Sequence, residues 1–154
     1  MPPVVVENVH SLKDYAGREI AVTDWLLMTQ ERINRFADAT DDRQWIHVDP
    51  ERAQKESPYG ATIAHGFLTL SLVSQFMKQA IQIQGGVRMA INYGLNRVRF
   101  PSAVRAGSKI RARVGLVELK ELPDSLEATY SIAIESENSS KPCCVAEWLV
   151  RYFL

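Results

Sequence analysis

The amino-acid sequence predicts an α+β fold in which helices come first and antiparallel strands follow. Apolar residues recur at helical spacing in the first half, whereas in the second half they alternate with polar residues. The longest helical pattern, residues 66–84, is apolar almost all round in its first half, which indicates a buried helix. A long apolar helix enclosed by an antiparallel sheet is the hot-dog arrangement, and we predict it as one domain over residues 1–154.

The helical elements have recognisable ends in the sequence. After a first short strand at residues 18–24, Thr29 is expected to cap a helix over residues 30–39. The pair Asp49-Pro50 is typical of the N-cap and first position of another short helix. Gly85-Gly86 is expected to end the long central helix, because glycine favours the conformation that stops a helix.

The predicted sheet has about five strands. Three runs alternate apolar and polar residues, namely 110–116, 126–134 and 144–153. Residues 87–100 supply a further strand, and the first short strand completes the set. Residues 122–125, Leu-Pro-Asp-Ser, have the composition of a tight turn between two strands, which favours antiparallel pairing.

The composition excludes several classes of function. The formal net charge is zero and no block of like charges occurs, so neither a nucleic acid nor a membrane surface is an expected partner. The N-terminus has no basic segment and no long apolar core, so no signal peptide or membrane span is expected. Cys143 and Cys144 are adjacent, which makes a poor disulfide and an incomplete metal site. We therefore expect packing cysteines in a cytoplasmic protein without a metal.

The segment that ends at Gly66 is predicted to carry the chemistry. Asp42 and His47 lie five positions apart beyond the first predicted helix, where a carboxylate and an imidazole can converge on one water. His47 stands between Ile46 and Val48, so its ring is expected on the opposite face of an extended apolar segment. Gly66 opens the central helix, where free N–H groups can polarise a carbonyl oxygen. The pattern indicates addition or removal of water at a carbonyl-activated substrate.

Four sequence blocks resemble the MaoC-like dehydratases, the (R)-specific enoyl-CoA hydratase family, and in particular the branch similar to nodulation protein N. They are residues 36–40, 42–50, 62–67 and 91–101. The resemblance implies a hot-dog fold and reversible hydration of trans-2-enoyl thioesters to (R)-3-hydroxyacyl thioesters. It also implies an acyl-CoA or acyl-carrier thioester as substrate, a homodimer, and no cofactor beyond the CoA of the substrate.

The resemblance assigns roles to individual residues. The catalytic aspartate and histidine of the family fall on Asp42 and His47, and the glycine whose N–H faces the thioester oxygen falls on Gly66. A serine eight residues further along the central helix, often included in the active site, falls on Ser74. Gln44 and Trp45 stand where shorter hydratases have Asn and Pro, so the acyl-chain preference is open.

Several residues have a structural interpretation beside the functional one. Asp42 could simply terminate a helix, and Ser74 could be a small packing residue. His65 is expected to brace the loop entering the central helix. Gly94 lies inside a predicted strand, where glycine costs stability unless something approaches its backbone, so it is expected to mark the path of the acyl chain. Four basic residues could meet CoA phosphates, and the sequence does not choose among Arg97, Arg99, Arg105 and Lys109.

Two other functions compete with hydration. Hot-dog thioesterases commonly carry a catalytic carboxylate on the central helix, but residues 67–84 contain neither Asp nor Glu. A non-catalytic module that binds acyl thioesters or signalling lipids would not need both Asp42 and His47.

The run 145–153 has apolar groups on both faces, and a sheet edge has to be covered or paired. We therefore expect a homodimer with the acyl-thioester tunnel near the subunit boundary.

Overall fold

A computed structural model describes residues 1–154 and has the predicted α+β architecture. A 3-10 helix at Val9–Tyr15 precedes five α-helices: α1 (Gln30–Thr40), α2 (Trp45–Val48), α3 (Pro50–Glu56), α4 (Gly66–Ser71) and α5 (Val73–Ala80). The eight strands are β1 (Val4–Val6), β2 (Arg18–Val22), β3 (Leu26–Leu27), β4 (Ile81–Ile83), β5 (Met89–Arg99), β6 (Lys109–Glu121), β7 (Ser125–Ser136) and β8 (Cys144–Phe153). None of the helices combines the length and hydrophobicity that crossing a bilayer requires.

The main sheet has six strands and is antiparallel throughout. Its order is β2-β6-β7-β8-β5, and β3 also pairs with β6. Helices α4 and α5 bury Leu68, Leu72 and Phe76 in one apolar cluster with the inward-facing side chains of the sheet. A central helical segment packed into an antiparallel sheet is the predicted hot-dog fold.

The central helix is shorter than the sequence predicts and is divided in two. The α4 helix stops at Ser71, α5 begins at Val73, and the helical pattern ends at Ala80 instead of Gln84. Residues 81–83 form β4, which pairs in parallel with β1. Two β-branched isoleucines at alternating positions suit a strand, and the N-terminal valines supply a partner, so strand pairing replaces the last helical turn. Gly85-Gly86 consequently follows a strand and does not end the helix.

The predicted strands are found, and β1, β3 and β4 are three additions before residue 87. The strand predicted at 18–24 is β2, but β1 precedes it in the chain, and β3 adds a short pairing to β6. The strand predicted at 110–116 continues to Glu121. The turn at residues 122–125 joins β6 to β7, and it is closed by the Leu122 N–H, which donates to the Ser125 carbonyl at 2.9 Å.

The exposed apolar edge of the sheet is β5, not the last strand. The run 145–153, whose two apolar faces led us to expect an interface, forms β8 inside the sheet between β7 and β5 and alternates buried with half-buried residues. On β5, large apolar side chains keep 39–54% of their surface exposed, and they are Met89, Ile91, Tyr93 and Leu95. Because β5 pairs only with β8, its other edge has unpaired backbone groups.

Both cysteines are packing residues, as predicted. Cys143 and Cys144 are free and buried, and the Cys143 thiol donates a hydrogen bond to the Ile134 carbonyl oxygen at 3.2 Å. Burial raises the pKa of Cys143 to about 12 and the pKa of Cys144 to about 11. At neutral pH both groups are therefore thiols, which are poor nucleophiles.

Candidate active site

The turn after α1 presents Asp42. Helix α1 ends at Thr40, and the C-cap residue Asp41 adopts a left-handed conformation (φ 60°, ψ 13°) that Asp tolerates better than most residues. Arg43 forms ion pairs with Asp38 and Asp41 at 3.3 and 2.9 Å, so both of these carboxylates already have a cationic partner. The Asp42 side chain has no ion-pair partner and accepts only a long contact from the Gln44 N–H, 3.4 Å. Asp42 is thus the carboxylate left available by this turn.

His47 lies on a single helical turn, whereas the sequence predicted an extended segment. The turn is closed by the His47 N–H, which donates to the Gln44 carbonyl, and by the Asp49 N–H, which donates to the Trp45 carbonyl, both at 3.0 Å. Asp49 then caps α3 by accepting from the Arg52 N–H at 3.0 Å. Asp49 is therefore both the last cap of α2 and the first cap of α3, and α2 is limited to the four residues before it.

The surroundings of His47 fix which ring nitrogen is free. Its side chain is buried, and Nδ1 lies 2.7 Å from the Ile63 carbonyl oxygen. A carbonyl only accepts, so Nδ1 carries the hydrogen and Nε2 is the unprotonated acceptor. Burial has the largest effect on the pKa of His47 and lowers it. The hydrogen bond to Ile63 and the negative charge of Asp42 raise this pKa, whereas the charge of a protonated His65 would lower it. The net lowering favours a neutral imidazole near neutral pH.

A hydrogen-bond network that the sequence analysis missed holds His47 in place. The Gln30 side-chain amide donates to the His47 carbonyl at 2.7 Å and to Asn34 Oδ1 at 2.9 Å, and its oxygen accepts from the Thr62 hydroxyl. The Ile63 N–H donates to the Ile46 carbonyl at 3.0 Å. Through these hydrogen bonds α2 is connected both to the start of α1 and to the segment before Gly66.

Three titratable side chains meet at this point. One nitrogen or oxygen atom from each of Asp42, His47 and His65 lies within 4.8 Å of the others. The two imidazoles stack with ring centroids 3.8 Å apart and planes 22° from parallel. Nearly parallel rings direct their in-plane lone pairs side by side instead of at one ion. The cluster therefore suits a shared water or proton better than a metal, and it contains the predicted Asp42/His47 pair.

Gly66 and His47 line the same cavity of about 770 Å³. Gly66 is the first residue of α4, so its N–H has no partner within the helix. A side-chain Cβ at this position would lie 3.1 Å from three atoms of the Phe100 ring. The wall also includes the buried Thr69 and, from the loop before β6, the exposed Arg105. Asp42 does not line this cavity, but its carboxylate lies within 4.8 Å of the His47 ring, which does.

Ser74 and Gly94 lie together, but apart from the His47 cavity. Both line a second groove of about 320 Å³ between α5 and β5, and Ser74 is exposed. Nothing lies within 4 Å of a Cβ built on Gly94, so the expected close approach to its backbone does not occur within one chain. The register of β5 with β8 shifts between Asn92 and Gly94, a bulge that glycine accommodates easily.

The two cavities adjoin at a pair of aromatic rings. Phe100 lines the His47 cavity and Phe67 lines the groove with Ser74, and the two rings meet edge to face with centroids 6.2 Å apart. Phe67 is 70% exposed in the single chain, which is unusual for a large apolar side chain. The predicted site residues thus form two neighbouring groups, one around His47 and Gly66 and one around Ser74 and Gly94.

Comparison with known proteins identifies the family of this chain. The profile of the MaoC-like domain matches residues 12–136. The 3-hydroxyacyl-thioester dehydratase Z of Mycobacterium tuberculosis H37Rv is 51% identical over 147 residues, covering 95% of this chain and 96% of the relative. Nodulation protein N of Rhizobium leguminosarum bv. viciae is 46% identical over 134 residues, covering 86% of this chain and 83% of the relative.

A solved structure has the same fold over nearly the whole chain. The monoamine oxidase regulatory protein of Archaeoglobus superposes with a TM-score of 0.76 at 25% identity, covering 99% of this chain and 98% of the other. The alignment therefore spans the helices that hold His47 and Gly66 as well as the whole sheet. With the domain profile covering most of the chain and a relative at 51% identity over nearly its full length, this protein belongs to the MaoC-like dehydratase family.

Proposed function

We propose that this protein adds water reversibly to trans-2-enoyl thioesters and forms (R)-3-hydroxyacyl thioesters. The observation that carries the proposal is the convergence of the available Asp42 carboxylate with the buried imidazole of His47, next to the cavity that Gly66 lines. Family membership supports hydro-lyase chemistry, and the resemblance to the (R)-specific hydratases supports the stereochemistry.

In the proposed mechanism, Asp42 and His47 hold one water between them. The water oxygen bonds to C3 of the substrate, one water proton passes to the pair, and a proton is delivered from the pair to C2. The Gly66 N–H donates to the thioester oxygen, on which negative charge develops as the enolate forms. One such preorganised donor contributes roughly 2.7–4 kcal/mol to transition-state stabilisation. The two titratable groups act as a unit, with His47 Nε2 as the acceptor that its tautomer leaves free.

The carrier of the acyl group is proposed to be anionic. Among the four basic candidates from the sequence, Arg105 is the one that lines the His47 cavity. An exposed guanidinium at this position suits the phosphates of CoA or of an acyl-carrier prosthetic group. The acyl chain is proposed to pass Phe67 into the groove of Ser74 and Gly94, where a second subunit would supply the missing wall.

The competing functions are separated by one assay with crotonyl-CoA. A hydratase bleaches the enoyl-thioester absorbance without releasing thiol, a thioesterase releases free CoA, and a binding module does neither. We expect bleaching, because α4 and α5 contain no carboxylate of the kind thioesterases use.

Chiral analysis of the product should show the (R) isomer. An (S) product would exclude the proposed stereochemistry, and thiol release at the rate of bleaching would exclude hydration.

Replacement of Gly66 by Ala tests the oxyanion assignment. The new methyl group would lie 3.1 Å from the Phe100 ring, so either the ring or the Gly66 N–H has to move by a few tenths of an ångström. We expect kcat to fall on the order of tenfold, because small misplacements of a catalytic donor are costly. The double variant Gly66→Ala/Phe100→Leu makes room for the methyl group and should recover most of this loss. Full activity of the single variant would argue against the assigned role.

A further inference from the structure

His65 is a buried titratable side chain that the proposed mechanism does not use. It is 3% exposed and precedes the first residue of α4, yet its side chain makes no capping hydrogen bond to that helix. Its ring lies between two others, with Phe36 at a centroid distance of 4.9 Å and His47 at 3.8 Å. The ring therefore holds the loop that enters the central helix, as the sequence suggested, and it does so against Phe36 and the His47 imidazole.

The polar contact of His65 is directed at the other catalytic residue. Its Nε2 lies 2.9 Å from the backbone carbonyl oxygen of Asp42, a residue 23 positions earlier in the chain. Because the carbonyl can only accept, Nε2 carries the hydrogen and donates it. The remaining nitrogen, Nδ1, is buried without any hydrogen-bond partner. Such an unpaired buried atom costs stability, so its retention calls for a functional explanation.

The same ring also limits the orientation of His47. The Ile63 carbonyl holds one ring nitrogen of His47 at 2.7 Å, which still allows rotation about that contact. The His65 ring stacks on one face of the His47 ring, with centroids 3.8 Å apart and planes 22° from parallel, and blocks rotation of the His47 ring towards that side. The His65 side chain consequently touches both the backbone of Asp42 and the ring of His47.

We infer that His65 is a positioning residue, which fixes Asp42 through its Nε2–H and the His47 imidazole through stacking, so that both groups face one water. The inference rests on the proposed hydration and assigns His65 no contact with substrate. Two substitutions separate the two contacts. His65→Phe keeps a flat ring between Phe36 and His47 but removes the donor. His65→Gln keeps an N–H near the Nε2 position but removes the stacked ring.

We expect His65→Phe to lower kcat on the order of 10²-fold with KM nearly unchanged, because a displacement of about 1 Å in a catalytic group has an effect of this size. His65→Gln should retain at least several-fold more of the wild-type kcat. In an Asp42→Asn background, His65→Phe should have little further effect, since its role is exerted through Asp42. Losses that multiply in the double variant, or a kcat for His65→Phe within threefold of wild type in a folded protein, would overturn the inference.

A spectroscopic measurement tests the positioning without relying on turnover. The chain has only three histidines, so selective ¹⁵N labelling gives three resolvable imidazoles, with the exposed His10 as the internal reference. We expect the neutral tautomers to differ, with Nδ1–H in His47 and Nε2–H in His65. An Nδ1–H tautomer in His65 would contradict the hydrogen bond to Asp42. If the tautomers are as expected but crotonyl-CoA is not hydrated, the proposed function fails while the arrangement of the three groups stands.

Discussion

Replacement of His47 by Gln is expected to lower hydratase kcat by about 10²–10⁴-fold, the range that general acid–base groups contribute. Glutamine keeps a polar side chain of similar length but has no nitrogen that accepts a proton from water. Replacement of Asp42 by Asn should have an effect of similar size, because the amide keeps the shape of the side chain and removes its negative charge. Initial rates with crotonyl-CoA measure both losses, and thermal unfolding shows whether the fold persists.

Two matched substitutions serve as controls for these variants. Asp41→Asn changes the neighbouring carboxylate at a left-handed position that Asn tolerates, and it affects only the exposed ion pair with Arg43. His10→Gln changes an exposed imidazole far along the chain. Both controls should keep near-wild-type rates. If Asp42→Asn or His47→Gln also kept near-wild-type rates, the assigned pair would not be the catalytic one.

The sequence was sufficient to predict that Asp42 and His47 lie close together, because the geometry that joins them is local. Asp42 and His47 are close in the chain, and a turn with a helical segment between them brings their side chains together. The partners that hold them come from distant positions. Gln30 contacts the His47 carbonyl across 17 positions and Thr62 contacts Gln30 across 32. Thr62 lies in a block that carries the family resemblance, but no spacing in the sequence pairs it with Gln30, so only the folded chain shows these contacts.

The errors in the fold have the same physical origin. Residues 81–83 follow a helical pattern without a break in hydrophobicity, and they become a strand only because β1 pairs with them. The pattern of residues 145–153 predicts a strand with two apolar faces, but it does not predict where that strand lies in the sheet. The strand order places β8 inside the sheet and leaves β5 at the edge. Pairing partners, not local propensity, decided both cases.

The exposed edge of β5 predicts how the protein assembles. β5 has eleven residues, presents large apolar side chains on its surface and has no strand on its outer side. A second copy can pair with it along a two-fold axis, since an antiparallel edge is complementary to itself. The same contact would cover Phe67 and close the groove that contains Ser74 and Gly94. We therefore expect a homodimer whose substrate path is complete only when two chains are present.

Substitution of Ile91 by Lys should convert this dimer to a monomer and remove most of the hydratase activity, because a charge placed within a paired apolar edge is strongly unfavourable. Val117→Lys is the matched control, since Val117 is also an exposed apolar residue of the same sheet but lies on the interior strand β6. Light scattering at micromolar concentration should give twice the chain mass of 17.4 kDa for the wild type and the control, and the single mass for Ile91→Lys. A wild-type protein with the mass of one chain and full activity would show that β5 is not an interface and that one chain forms a complete site.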